Sequence, residues 1–263
     1  MSKFIKKEIN KLNKKENKII NKKSNKIIKD KLIPISEKIE EKIPDKLRAT
    51  LEGAFYNAFK VVFKGGSKYI EKLYNKEKIK LDHDINNYSL NKRATRKSLK
   101  LIDSQGKRSK LINSTISTVE GIGLGALGIG IPDIPIFISI ILKTVYEIAL
   151  SYGFNYESES EKIYILNLIN VALTSEEEKL FYSEKLNEIE NKISLCLELE
   201  NNLDSEIKET AKVLSNTLLL VKFIQGLPII GVVGGALNYQ FINKISKYAS
   251  IKYKKRYLKN NKF

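Results

Sequence analysis

The chain has 263 residues and a formal net charge of +17, from 47 Lys and Arg against 30 Asp and Glu, with one cysteine and one histidine. Cys196 alone excludes an intramolecular disulfide, and with His83 as the lone histidine the usual Cys/His zinc cages are excluded too. Only 5 prolines and 14 glycines, most of the glycines in two patches, argue for long helices over a turn-rich β fold.

Residues 1–43 read as a lysine-dense N-terminal extension. Phe4, Ile5, Ile9 and Leu12 keep helical spacing, so a basic amphipathic helix or a frayed arm is expected there. Lys6-Lys7 follow Phe4-Ile5 directly, which argues against a cleaved signal peptide. The folded domain is expected over 44–263. From Asp45, a stripe through Leu47, Leu51, Phe55, Ala58 and Val62 runs into Gly65-Gly66, a helix stop. Further helices are expected at Ser67–Tyr74, within Asn87–Ile102 and at Lys107–Glu120, with a polar connection at Asp82-His83-Asp84 that leaves the histidine solvated.

Gly121–Tyr156 is a glycine-studded apolar run broken by Pro132-Asp133-Ile134-Pro135, followed by an apolar helix ending at Tyr152-Gly153-Phe154. Beyond it, Ser158 or Ser160 is expected to cap a helix reaching Leu173, and Thr174-Ser175 with Glu176–Glu178 to open one running toward Leu199. Another helix spans about Ser205–Gln225 and stops at Gly226-Leu227-Pro228. The last starts near Gly231 and runs into the basic end Lys254-Lys255-Arg256. No strand-like alternation appears, so the expected class is an all-α multi-helix bundle.

Gly123, Gly125 and Gly128 form a GxGxxG, but helix-like residues precede it and Pro132 soon cuts the chain, so no dinucleotide and no other cofactor is expected. Packing explains the glycines better. Gly121/Gly125, Ala126/Gly130 and Gly231/Gly235 are small residues four apart, which let another backbone approach one helix face. With Pro132 and Pro228 turning the chain, two broken-helix elements packed side by side are expected. Each half is shorter than the ~20 apolar residues of a full membrane span, a length suited first to a buried core helix, then to a membrane-dipping hairpin, with true spanning the third alternative.

Asp133 reads as an N-cap, with Pro135 tolerated in the first turn. Ser139, Lys143 and Glu147 make a polar stripe on the following helix, most simply containing a Lys143–Glu147 pair. If that stripe faces inward, Asp133, Lys143 and Glu147 are the candidate catalytic residues. No metal site is expected.

These residues carry a resemblance. Gly121–Tyr156, with its P-D-I-P and later Y-G-F, resembles the core signature of the EcsC family of bacterial proteins. Residues 226–258, including Pro228, Gly231, Gly234, Asn238, Ala249, Tyr253 and Arg256, resemble that family's C-terminal signature, and the stretch from Ile43-Pro44 resembles its N-terminal part. The resemblance implies a gene neighbourhood shared with an ABC exporter and supplies no catalytic residues. It also implies that Asp133 and Glu147 occupy recurring acidic positions.

The function expected from charge is attachment to an anionic membrane surface. Lysine dominates over arginine, which fits a diffuse anionic surface better than base-specific reading of nucleic acid. The expectation is therefore a non-enzymatic accessory protein, cytoplasmic and peripheral or partly embedded at the inner face of the cell membrane. Its partner would be anionic lipid or a membrane protein, with no specific nucleic acid and no small-molecule substrate assigned. A hydrolase using Asp133 and Glu147 is the alternative, and nonspecific nucleic-acid binding the third reading.

Overall fold

The computed structural model describes residues 2–21, 43–64, 70, 74–104, 133–224 and 235–261. Among these residues every regular element is an α-helix: α1 (Lys3–Ile20), α2 (Asp45–Lys64), α3 (Lys76–Lys92), α4 (Asp133–Ser151), α5 (Glu159–Leu173), α6 (Glu176–Ser194), α7 (Leu203–Ile224) and α8 (Gly235–Asn260). A further helical stretch lies at 96–104. The all-α bundle expected from the sequence is the observed class.

Three helices form the centre. α5 is buried on every side from Ile163 to Leu173, a largely apolar stretch in which Asn167 and Asn170 are the polar exceptions. It packs against α6, α7 and α8. α4 is almost as apolar and packs against α2, α3 and α8. α8 therefore joins two central helices, while α2 packs on α7 and α1 lies on α8 and α6. Phe137 of α4 meets Phe55 and Phe241 edge-on, at centroid distances of 6.4 and 5.9 Å.

α1 turns its apolar side inward: Ile5 and Leu12 are buried with the core, and Ser2 caps the helix by accepting from the Ile5 N–H. Ser158 caps α5 by accepting from the Glu161 N–H at 3.2 Å. Ser175 stands at the N-cap of α6, but its hydroxyl makes no capping bond.

The connection expected at Asp82-His83-Asp84 is instead the middle of α3, and His83 is buried. Helical spacing explains the error. His83 shares the inward face of α3 with Leu90, while Asp84 points to solvent. Its Nδ1 lies 3.0 Å from the Ser151 carbonyl, which only accepts, so that nitrogen carries the proton.

The glycine runs fall outside the described residues, among them Gly121, Gly125, Gly128, Pro132, Pro228 and Gly231, as do the helix expected at Lys107–Glu120 and most of that at Ser67–Tyr74. The helices into which the two runs lead, α4 and α8, do pack against each other.

α4 ends in a turn that only glycine fits. Gly153 N–H donates to the Leu150 carbonyl and Phe154 N–H to the Ala149 carbonyl, both at 2.9 Å, a Schellman closure with Gly153 at φ +79°. A Cβ there would sit 2.5 Å from His83 Nε2. α6 closes the same way with Cys196 at φ 55°, and this stops the helix at Ser194, short of the expected Leu199. Gly153→Ala should therefore destabilise the protein by about 1–2 kcal/mol or more, and Cys196→Gly should stabilise it by up to ~1 kcal/mol, both read from urea denaturation midpoints.

Candidate functional site

The polar stripe of α4 does face inward. Ser139, Lys143 and Glu147 are all buried, and Lys143 Nζ lies 3.4 Å from each Glu147 oxygen. The Ser139 hydroxyl donates to the Pro135 carbonyl, closing one turn of its own helix. Asp133 is the first residue of α4, with its side chain outside the description, and Pro135 is exposed in the first turn. Fourteen residues of one helix put Asp133 and Glu147 about 21 Å apart along its axis, at ~1.5 Å per residue. Two carboxylates acting on one glycosidic bond stand about 5–10 Å apart. The structure thus brings Lys143 and Glu147 together and holds Asp133 a long way from them. Of the remaining signature positions, Tyr152 and Gly153 form the turn after α4, and Gly235 and Asn238 belong to the first turn of α8.

A second buried charge cluster is more extensive, and the basic end of α8 supplies it. That end is a run of cations in the sequence, yet Lys252 is 0% and Arg256 3% exposed. Arg256 donates to both oxygens of Glu161, at 2.7 and 3.0 Å, and the Tyr253 hydroxyl donates to the same carboxylate at 2.8 Å. Its guanidinium lies over the rings of Tyr164 and Phe154, 4.2 and 4.4 Å from their centroids. The planar fork of arginine suits this place, since it pairs bidentately and stacks at once. Burial works against the charge on Arg256, but Glu161 overrides it and raises its basicity. Burial, aided by Glu161, also keeps the Tyr253 phenol protonated as a donor.

One turn away, Lys252 lies 2.7 Å from Glu190 and 3.3 Å from Glu16, and donates to Asn187 at 2.8 Å. Lys255 reaches Glu16 at 2.5 Å and Lys259 reaches Glu190 at 3.1 Å. Burial pushes the Glu190 carboxyl up, but Lys252 and Lys259 together hold it below the ordinary carboxylate value. Lys254 and the Tyr152 hydroxyl share Asp103, at 2.7 and 3.1 Å. The Tyr257 hydroxyl donates to Asn87 of α3 at 2.6 Å. Successive residues of α8 thus hold α5, α6, α1, α3 and the 96–104 stretch.

A third polar group lies between α5, α6 and α7. Glu206 accepts from Asn167 at 2.8 Å and Asn201 at 2.6 Å, and Lys185 bridges Glu206 and Glu209. Lys222, near the end of α7, is also buried, and burial lowers its basicity.

Among the described residues, no group of three or more His, Cys, Asp or Glu side chains is arranged to hold a metal ion. What the described geometry defines is a helical scaffold pinned internally by ion pairs. The profile of the EcsC protein family matches residues 5–258, α1 included, and the chain belongs to that family. It is similar to Protein EcsC of Bacillus subtilis (strain 168), 28% identical over 157 residues that make up 58% of this chain and 62% of that protein. It is also similar to Uncharacterized protein YdbA of the same strain, 28% identical over 154 residues, 53% of this chain and 52% of that one. The chain therefore spans less than two thirds of the length of either relative. No solved structure matches.

The Glu16, Glu161 and Glu190 partners were invisible to spacing arguments, because they lie 239, 95 and 69 residues from Lys255, Arg256 and Lys259. One local signal existed for Glu161. It stands three residues after the capping Ser158, where a glutamate ordinarily reaches back to the cap, and here it turns to Arg256 instead.

A pH prediction follows from Glu190. Its folded-state pKa lies below the ordinary 4.5, so its contribution is fully present above about pH 4.5 and is lost as pH falls through the lower folded value. Urea denaturation across acidic pH should show that loss, and Glu190→Gln should be less stable at neutral pH with a flatter acid limb.

Proposed function

We propose that this protein is a non-enzymatic accessory factor working at an anionic membrane surface from the cytoplasmic side, in support of a transporter or envelope process. The observation that carries the reading is the arrangement of charge on α1. Its apolar residues Ile5 and Leu12 face the bundle, and Lys3, Lys6, Lys7, Lys11, Lys14, Lys15 and Lys18 are exposed. Of the acids on the same helix, Glu16 is drawn inward by Lys252 and Lys255, and Glu8 pairs with Lys11. A lysine-covered helix whose apolar side is already occupied attracts anionic headgroups without inserting.

The state of α4 supports peripheral attachment. Ile134–Ser151 has a mean hydropathy of 1.7, enough by length and composition to cross a membrane, yet 89% of it is buried within the protein. Its neighbours already supply the apolar surroundings that lipid would provide. The gene neighbourhood implied by the family resemblance supports the link to a transporter. The hydrolase reading is weaker, because Asp133 and Glu147 are separated along α4 and Glu147 is engaged with Lys143 inside the core.

Flotation of the full chain with phosphatidylcholine vesicles, with and without phosphatidylglycerol, tests the reading. Binding is expected only with the anionic lipid and should fall steeply with added salt. Replacing Lys7, Lys14 and Lys18 by Gln should weaken it about a hundredfold at low salt, at ~1 kcal/mol per charge. Equal binding to both vesicle types, or none to the anionic ones at low salt, would contradict the reading. A salt-steep interaction with DNA and none with lipid would favour nucleic-acid binding instead.

A further inference from the structure

Most of the exposed large hydrophobic residues occur singly or as sequence neighbours, such as Val61, Ile136, Tyr239 and the pair Leu180-Phe181. Isolated apolar side chains on a surface are ordinary. α3 is different. Leu81, Ile85 and Tyr88 are 60%, 56% and 68% exposed, and their spacing of four and then three residues sets them in one line along the outer face. The opposite face, with His83 and Leu90, is the one that packs on the bundle. α3 is therefore apolar on two sides, and only one has a partner within the described protein.

The ends of the ridge are charged. Lys78 lies three residues before Leu81 and Lys92 four residues after Tyr88, both exposed and on the same face. The chain continues with Arg93, Arg96, Lys97 and Lys100, all exposed. Burial raises the Glu8 carboxyl of α1, but Lys11 foremost, then Lys254 and, least of the three, Arg96 hold it below its ordinary value, which places Arg96 within electrostatic reach of α1. The basic surface of α1 and the cations following α3 are thus neighbours. Two acids border the ridge: Glu77, which pairs with Lys80 at 3.7 Å, and Asp84, which is exposed. They limit how deeply this helix could enter a bilayer.

We propose that the Leu81–Ile85–Tyr88 ridge of α3 is the part of the protein that enters an anionic bilayer, lying in the interface plane while the surrounding cations contact headgroups. The chemistry matches at each level. Leucine and isoleucine suit the acyl boundary, tyrosine suits the headgroup level with its ring apolar and its hydroxyl wet, and lysines at both ends extend toward phosphate. A second copy of this chain would equally cover apolar surface, but the density of cations around the ridge opposes self-association and favours an anionic surface. The inference rests on the membrane reading above and names the surface through which it operates.

The chain contains no tryptophan, so Tyr88→Trp installs a single reporter. With phosphatidylcholine vesicles containing phosphatidylglycerol, its emission should shift to the blue and be quenched by brominated acyl chains. Leu195→Trp, at a residue exposed elsewhere, should do neither. In flotation, Leu81→Ser/Ile85→Ser/Tyr88→Ser should lose about tenfold or more in apparent affinity, with helicity retained by circular dichroism. Leu195→Ser/Leu197→Ser should bind like the unaltered protein. If the unaltered protein binds these vesicles while the Tyr88→Trp emission stays unshifted and the triple variant binds equally well, this surface is excluded and the membrane reading stands. If the unaltered protein does not bind at all, both fail. A ridge-dependent dimer in sedimentation, with no vesicle binding, would overturn the proposal in favour of self-association.

Discussion

The buried pairing of Arg256 with Glu161 is the constraint around which this structure is arranged. An isolated charge at either position would be severely penalised by loss of water, so the two residues are tolerated only together and only with the Tyr253 hydroxyl and the flanking rings in place. That requirement fixes the rotation of α8 about its axis relative to the start of α5. Apolar packing alone would specify it poorly, since α8 buries side chains around most of its circumference. With α8 so oriented, Lys252 is directed at Glu190 and Glu16, Lys254 at Asp103 and Tyr257 at Asn87. Replacing such pairs with apolar residues of similar shape often costs little, so their role here is read as specification of one packing over its alternatives.

The same geometry gives a physical content to two separated motifs. Tyr152-Gly153-Phe154 closes α4, and Tyr253 to Tyr257 lie on α8 about a hundred residues later. They meet directly: Phe154 approaches the Tyr253 ring to 5.5 Å, Tyr152 approaches Tyr257 to 6.1 Å, and Gly153 makes room for His83. Among the described residues these two segments form one packed locus, in which the tight turn after α4 presents the Phe154 ring to Arg256 of α8. The net charge also divides in two. Lys143, Lys252 and Arg256 are internal and paired, while α1 and the segment after α3 carry cations outward.

Local features were legible in the sequence. The helical class, the start of α2 near Pro44 and the Ser158 cap all rest on propensity and spacing within a few residues. The inward stripe Ser139–Lys143–Glu147 was readable as a condition, because helical periodicity places the three on one face without saying which face is buried. What escaped was long-range. A lysine-rich C-terminal end gives no sign that three glutamates from α1, α5 and α6 await it, and no periodicity announces them. His83 was misplaced for a related reason, since two flanking aspartates resemble a loop until the face that His83 occupies is seen to carry Leu90 as well. The exposed ridge on α3 was not legible because a connection expected at Asp82-His83-Asp84 divides Leu81 from Ile85 and Tyr88, and only a continuous helix over Lys76–Lys92 sets the three in line.

A double-mutant cycle on Arg256→Met and Glu161→Met, followed by urea denaturation, tests the central claim most directly. Each single replacement strands a buried charge and should cost about 3 kcal/mol or more, whereas the double replacement should cost much less than the sum, a coupling above ~1.5 kcal/mol. Costs that simply add, to within ~0.5 kcal/mol, would mean the two side chains do not act as a unit and would contradict the account.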